Sequence, residues 1–225
     1  MSSPASPPTL SSTSSSAAPT SFPTTTPTIT QILMVCGDIS KTSTLKIIEK
    51  NILIKWNRID ILIANAGDIS NKKTNNNSWL INKNFITSKK FIDFFYRYLI
   101  KTEGSIILIS SIAALIETKA QIGYSMSKKL VNTYGKKLSV KLAKYNINVN
   151  IVAPGNIYFK NGNWFDKLKK DPKTINKYIK DNVPMNKFGC VNDITSLCLF
   201  LGSDESNFLT GQIIAVDGGQ SIKFN

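Results

Sequence analysis

Ser111, Tyr124 and Lys128 are the residues whose types and spacing point most directly to chemistry. Tyr124 and Lys128 are four positions apart, so they share one face if the segment is helical. An ammonium group beside a phenol lowers the tyrosine pKa and prepares the tyrosine to give or accept a proton near neutral pH. Ser111 precedes Tyr124 by thirteen residues and offers a hydroxyl for a substrate carbonyl. A lysine-rich chain also produces Tyr-x-x-x-Lys pairs by chance, so the surrounding elements must decide.

The elements that would position these residues are short apolar strands that alternate with amphipathic helices. The predicted strands are 31–35, 60–64, 105–110, 148–153 and 212–216, and the predicted helices are 43–56, 79–101, 124–145, 163–182 and 191–202. Apolar strands separated by helices indicate a parallel sheet that is covered on both faces. The expected fold class is therefore α/β, with a doubly wound, Rossmann-like parallel sheet.

Polar and turn-forming residues follow the predicted strands. Asp38 comes after the first strand, Asn65 after the second, Ser111 after the third, and Pro154 and Gly155 after the fourth. Ligands of doubly wound sheets bind beyond the carboxyl ends of the strands. These residues are therefore expected to surround one ligand site, together with the Tyr-Lys pair.

The charge of the chain does not indicate a nucleic-acid partner. The net charge is +14, but of the 28 basic residues only Arg58 and Arg97 are arginine, the residue that planar phosphate contacts favour. No basic stripe interleaved with aromatic residues is present. We expect a solvated lysine surface and no nucleic-acid partner.

The absence of histidine excludes Ser-His-Asp and Cys-His catalysis and most zinc chemistry. Cys36, Cys190 and Cys198 match no metal motif, so no metal site is predicted and the thiols indicate a reducing compartment. No run of apolar residues is long enough to cross a membrane, and no membrane partner is expected.

Residues 1–30 are rich in Ser, Thr and Pro and carry no charged residue, which predicts a disordered, low-complexity segment. The segment lacks the arginines of a mitochondrial leader and the apolar run of a secretory signal. A plastid-type leader is the weaker alternative to a cytoplasmic location. The folded domain is predicted to occupy residues 31–225.

Five segments, in order along the chain, resemble the short-chain dehydrogenase/reductase family in its Tyr-x-x-x-Lys branch. They are "NAG" at 65–67, "NKNF" with Asn84, "ISS" with Ser111 followed by "YSMSK" with Tyr124 and Lys128, "NVNIVAPG" ending at Gly155, and "FLGSDESNFLTGQIIAVDGG" at 200–219. The resemblance implies an oxidoreductase that transfers a hydride between NAD or NADP and a small carbonyl or alcohol substrate.

The resemblance also implies roles for individual residues. Tyr124 would be the general acid or base, Lys128 would lower its pKa and hold the nicotinamide ribose, Ser111 would polarise the carbonyl, and Asn84 would anchor a water in a proton relay. The residues implied to touch the cofactor are Asp38, Asn65, Ala66, Gly67, Tyr124, Lys128, Pro154, Gly155 and Ile157. Assembly through helices 79–101 and 124–145 would make the protein a homo-oligomer.

The sequence departs from the family at its N-terminal side. The family's glycine-rich turn, which brings the backbone up to the cofactor pyrophosphate, has no counterpart, and the first glycine is Gly37. Residues 31–225 therefore resemble a domain that lacks its first βαβ part. Strand 60–64 would then be a sheet edge unless 31–35 moves beside it. A non-catalytic remnant, an interaction protein or an incomplete sequence of such an enzyme is the alternative function.

Overall fold

The computed structural model describes residues 31–69 and 76–222, and Val35–Asn225 forms one compact unit. Residues 31–34 belong to a separate unit and have no regular structure. The expectation of disorder for residues 1–30 concerns residues outside those described.

A four-stranded parallel sheet forms the centre of the compact unit. Its strands are β1 (Ile61–Ala64), β2 (Ser105–Ile109), β3 (Asn148–Pro154) and β6 (Ile213–Val216), in the spatial order β1-β2-β3-β6. The register places Ile61 beside Ser105, Ser105 beside Asn148, and Ile151 beside Ile213. A separate parallel pair is formed by β4 (Ile157–Tyr158) and β5 (Gly189–Cys190). The predicted parallel α/β fold is confirmed for the described residues.

Helices connect these strands and cover the sheet. They are α1 (Thr42–Lys55), α2 (Asn77–Ile81), α3 (Thr87–Leu99), α4 (Ile122–Leu142), α5 (Asn163–Lys170), α6 (Pro172–Asn182) and α7 (Val191–Leu201). A π-helical turn, Asn82–Ile86, joins α2 to α3. Helices α1, α3 and α4 pack on one face of the sheet, where Phe95 and Leu108 are fully buried. Helix α7 packs on the opposite face.

The predicted strand at residues 31–35 is wrong. These residues form no strand, and Ile32 and Met34 are 75% and 81% exposed. An apolar run forms a buried strand only when a partner strand satisfies its backbone. Among the described residues β1 pairs with β2 alone, so the expected move of 31–35 to its side does not occur and β1 is an edge strand.

Two predicted helices are interrupted. The helix expected at 79–101 contains the π-helical turn Asn82–Ile86, where Thr87 donates from its backbone N–H to the carbonyl of Asn82. The helix expected at 163–182 divides at Asp171, whose side chain accepts from the Thr174 N–H at 3.0 Å and caps α6. Pro172 begins α6 because a proline cannot donate the backbone hydrogen bond that a continuous helix requires.

None of the helices in the described part of the chain is long and apolar enough to cross a bilayer.

Candidate active site

A cleft of about 440 Å³ lies at the carboxyl ends of β1, β2 and β3. Its wall brings together most of the site residues that the sequence suggests. They are Asn65, Gly67, Asn84, Ser111, Tyr124, Lys128, Pro154, Gly155 and Ile157. The parallel strands explain this convergence, because their carboxyl ends meet at one edge of the sheet.

Tyr124 and Ser111 form the polar pair at the centre of the cleft. Tyr124 lies in the first turn of α4, which is held in place because the Gly123 N–H donates to the Asn77 side chain at 3.0 Å. Ser111 follows β2 and accepts from the Ala113 N–H at 3.2 Å, which fixes its backbone at the start of a short helical turn. The Ser111 hydroxyl is close enough to the Tyr124 phenol to favour its ionised form. Two hydroxyl groups therefore face one point in the cleft.

Lys128 is buried one helical turn after Tyr124. Its side chain donates from Nζ to the backbone oxygen of Ile109 at 2.9 Å, and Nζ lies 5.7 Å from the centre of the Tyr124 ring. Burial lowers the pKa of Lys128 to about 8 because the ammonium has lost most of its hydration. The lysine is therefore a fixed cation of the site and not a mobile surface charge.

The pKa of Tyr124 is raised above its ordinary value, whereas the sequence predicts that it is lowered. Burial of the phenol raises it, and the interaction with the Ser111 hydroxyl lowers it by a smaller amount. Desolvation of the phenolate prevails because the Lys128 ammonium lies beside the ring and donates to the backbone of Ile109. In this structure Tyr124 is held as a neutral phenol.

Asn84 holds the loop that follows β1 against the π-helical turn. Its side-chain oxygen accepts from the Asp68 N–H at 3.1 Å, and its amide nitrogen donates to the backbone oxygens of Asp68 and Leu80 at 2.8 and 2.9 Å. Gly67 lies so close that an added Cβ would be 2.4 Å from the Asn84 side-chain oxygen. Single π-helical turns are frequent at functional sites, and this one places a buried amide beside Lys128.

The cleft fits the nicotinamide-ribose half of a dinucleotide. Its two walls contain Gly67 and Gly155, where internal packing requires glycine, since a Cβ on Gly67 would meet Asn84 and a Cβ on Gly155 would lie 2.7 Å from the Cβ of Asp217. Neither glycine has a side chain that narrows the cleft. Lys128 adds a buried ammonium donor to the same cleft.

Two suggested cofactor residues, Asp38 and Ala66, do not line this cleft. Asp38 is exposed before α1, where hydrogen bonds from Ser40 and the charge of Lys83 lower its pKa. Lys41, the residue before α1, makes no side-chain cap. The described residues around Asp38 therefore offer a carboxylate and no glycine-rich cradle for a pyrophosphate, so they do not fit that part of the cofactor.

A second cavity of about 520 Å³ shares Ser111 and Tyr124 with the cleft. Helices α5 and α6 form its outer wall through Trp164 and Tyr178, whose rings stack at 5.4 Å. The sequence gives no signal for Tyr178, because the predicted helix at 163–182 looks only like a lysine-rich surface. Tyr124 and Ser111 thus stand between two cavities, as a catalytic pair between cofactor and substrate would.

Residues 17–221 match the model of the family described as enoyl-(acyl carrier protein) reductase. The 3-oxoacyl-[acyl-carrier-protein] reductase FabG of Buchnera aphidicola subsp. Baizongia pistaciae is 37% identical over 188 residues, which are 79% of this chain and 71% of that protein. FabG of Chlamydia trachomatis is 32% identical over 197 residues, which are 85% of this chain and 77% of the relative.

Solved structures resemble the same region. YwfH, an NADPH-dependent reductase involved in bacilysin biosynthesis, is 26% identical with a TM-score of 0.72, over 84% of this chain and 77% of YwfH. A gluconate 5-dehydrogenase from Burkholderia cenocepacia, in complex with NADP and tartrate, has the same TM-score at 22% identity, over 84% of this chain and 74% of the dehydrogenase. The second likeness shows the fold alone.

Proposed function

The chain belongs to the short-chain dehydrogenase/reductase family of NAD(P)-dependent oxidoreductases, and from that premise we propose that it reduces the 3-oxo group of an acyl thioester to a hydroxyl group. The observation that carries this proposal is the Ser111–Tyr124 hydroxyl pair, with Lys128 buried beside it. The choice of substrate follows the relatives, which are named as 3-oxoacyl-[acyl-carrier-protein] reductases.

The hydroxyl pair suits a carbonyl oxygen because both groups can donate a hydrogen bond to it. Tyr124 and Ser111 would bind the oxygen and increase the positive character of its carbon. The raised pKa of Tyr124 keeps its proton in place at neutral pH, as a general acid requires. When bound, NAD(P)H supplies the hydride that forms the new C–H bond. The Tyr124 proton then goes to the oxygen, and the electron pair of the broken C=O π bond becomes the O–H bond.

Lys128 would stabilise the phenolate that remains after proton transfer. Its pKa of about 8 leaves it mostly protonated at pH 7, and the cation lies 5.7 Å from the Tyr124 ring. The Nζ hydrogens that Ile109 does not accept would bind the nicotinamide ribose hydroxyls. Asn84 would hold the loop at Gly67 in place and anchor a water through which a proton from solvent returns to Tyr124.

The proposed cofactor contacts are divided between the two walls of the cleft. Asn65 and Gly67 would lie along the ribose, and Gly155 and Ile157 along the nicotinamide. Pro154 would fix the start of that second wall. Ala66 would contact the cofactor only through its backbone, and Asp38 would lie on the adenine side. Either NAD or NADP is compatible with these contacts.

We also propose a cytoplasmic homo-oligomer. The described cysteines are free thiols, in keeping with a reducing compartment. Helix α4 exposes Val140 and Leu130, at 80% and 38%, and the π-helical turn exposes Ile86 at 43%. Apolar side chains at these positions would suit packing between copies. The proposed partner in catalysis is the small carbonyl substrate, with no nucleic acid or membrane involved.

The test is turnover by the full chain with NADPH and NADH, offered a 3-oxoacyl thioester and the corresponding enoyl thioester. We expect reduction of the 3-oxo compound and a loss of at least about 10²-fold for Tyr124→Phe, since that variant removes the transferred proton. Tyr145→Phe, at an exposed position after α4, is the matched control. Retention of more than a few per cent of the rate by Tyr124→Phe would remove the assigned role. Preference for the enoyl compound would contradict the substrate, and failure to bind either cofactor would favour an interaction protein.

A further inference from the structure

The second cavity carries positive charge that the reduction itself does not use. Lys119 and Lys167 line it, and no acidic residue is among its described lining. Lys119 lies in the segment before α4, and Lys167 lies on α5, so the two lysines approach the cavity from different parts of the chain. A cavity with two cations and no anion favours a negatively charged ligand.

Lys167 is exposed, and its side chain packs on an aromatic ring. Its Nζ lies 4.6 Å from the centre of the Trp164 ring, and Trp164 stacks on Tyr178 with an angle of 22° between the rings. The Tyr178 hydroxyl in turn accepts from the Gln220 side chain at 3.2 Å. No described carboxylate forms a salt bridge with Lys167, whereas Lys177 on α6 lies 3.7 Å from Asp181. Lys167 thus lies at the cavity wall with its charge available to a ligand.

The cavity divides into a reacting end and an anion-binding end. Ser111 and Tyr124 form the reacting end, and Ala113, Ile175 and Trp164 provide apolar wall beside them. A ligand that fills the cavity would place its carbonyl at the hydroxyl pair, lay an uncharged chain along the apolar wall, and bring an anionic group to the lysines.

We propose that Lys167, assisted by Lys119, binds the phosphate of the pantetheine arm that carries the acyl thioester. This rests on the proposed function, because it is the thioester substrate that brings such an arm. Lysine binds a phosphate as a compact point charge, without a fixed direction of approach, and this suits a flexible arm. The lysines would determine how tightly the substrate is held and would leave the hydride and proton transfers unchanged.

The kinetic test compares acetoacetyl thioesters of pantetheine, 4′-phosphopantetheine and coenzyme A. We expect a KM about 5- to 10-fold lower for the two phosphorylated compounds, with similar kcat, since a partly exposed charge pair has a modest effect. Equal KM values for phosphopantetheine and coenzyme A would assign the effect to the shared phosphate. A decrease in KM for coenzyme A with no decrease for phosphopantetheine would assign the effect to the nucleotide phosphates and overturn the proposal.

Lys167→Met should remove most of the preference for phosphate while keeping an apolar side chain on Trp164. Lys169→Met removes the same charge from the same helix outside the cavity and should keep the preference. The double variant Lys119→Met/Lys167→Met should abolish it. Equal behaviour of Lys167→Met and Lys169→Met would show a general effect of net charge and overturn the proposal.

A binding measurement without turnover separates this proposal from the proposed function. Trp164 provides the signal, and Trp164→Phe identifies its share of the fluorescence among the three tryptophans. We expect 4′-phosphopantetheine to change the fluorescence at concentrations about 5- to 10-fold below pantetheine, and Lys167→Met to remove that difference. Absence of turnover with this difference intact would reject the reduction alone. Equal binding of the two arms would reject the phosphate site alone, whatever the turnover.

Discussion

The two faces of the central sheet differ in how completely they are covered. On the face of α1, α3 and α4, fifteen apolar residues form one buried cluster that includes Phe95, Leu108 and Leu142. On the face of α7 the corresponding buried cluster is Ile107, Val152 and Leu201. Strand β1 shows the contrast within four residues, since Leu62 and Ala64 are buried on the first face and Ile61 and Ile63 are 42% and 45% exposed on the second.

The catalytic candidates belong to the covered face. Lys128 lies on α4 and Asn84 immediately before α3, and their hydrogen bonds end on the backbone of β2 and of the loop after β1. Rigid packing is what holds a catalytic group in one geometry. The difference teaches that the covered face packs around the residues proposed for proton transfer. Asp38, on the proposed adenine side, is exposed and does not line the cleft.

The largest expected effect is a difference in the free energy of unfolding between variants on the two faces of the sheet. Phe95→Ala should lower the free energy of unfolding by about 3–5 kcal/mol, because Phe95 is 1% exposed and its removal leaves a cavity. Ile63→Ala should cost about 1 kcal/mol or less, because nearly half of that side chain already contacts solvent. Urea-induced unfolding of both variants, followed by circular dichroism, measures the difference. Similar losses for the two variants would mean that the second face is covered in solution.

The next largest effect is the pH dependence of stability that the buried Lys128 ammonium causes. The pKa of Lys128 is about 8 in the folded state and 10.5 as the ordinary value, so between these values the unfolded chain binds more protons. The free energy of unfolding should therefore rise as the pH increases from about 8 to 10, approaching a total of about 3 kcal/mol at the ordinary pKa. Above about pH 10 the tyrosines contribute with the opposite sign, because burial raises the pKa of Tyr134.

Lys128→Met tests this pH dependence. The variant should unfold with nearly constant free energy between pH 8 and 10 and should be more stable than the parent chain at pH 7, where the parent still carries the desolvated ammonium. It should also lose activity. Lys129→Met, at the next and exposed position, should keep the rise. A parent chain whose stability does not change over this range would show that water reaches Lys128, and the covered face would then be less closed than the structure has it.

The sequence predicts the covered half of the molecule well and the rest less well. Strands at 60–64, 105–110, 148–153 and 212–216 are confirmed because each is an apolar run with a neighbouring strand. The run at 31–35 has the same composition and no partner strand among the described residues, which periodicity cannot reveal. The convergence of Ser111, Tyr124 and Lys128 follows from the parallel topology. The raised pKa of Tyr124 depends on burial in three dimensions, and spacing alone gave the opposite direction.

The smallest expected effect on stability comes from a substitution on the edge strand β1. Strand β1 presents the apolar residues Ile61 and Ile63 beside a row of backbone groups that no described strand pairs. Such an edge is a template for pairing with another chain, and a lysine on it opposes that pairing. Ile63→Lys should therefore reduce self-association on heating while changing the free energy of unfolding by less than about 1 kcal/mol.

Light scattering during a temperature ramp measures this association, and the control must separate the edge from the added charge. Phe208→Lys replaces a fully exposed apolar side chain in the loop before β6 and adds the same positive charge at no strand edge. A decrease for Ile63→Lys alone would assign association to the open edge of β1. Equal decreases for both variants would assign it to net charge. In that case the edge is protected in solution, and the contrast between the two faces would have to rest on side-chain burial alone.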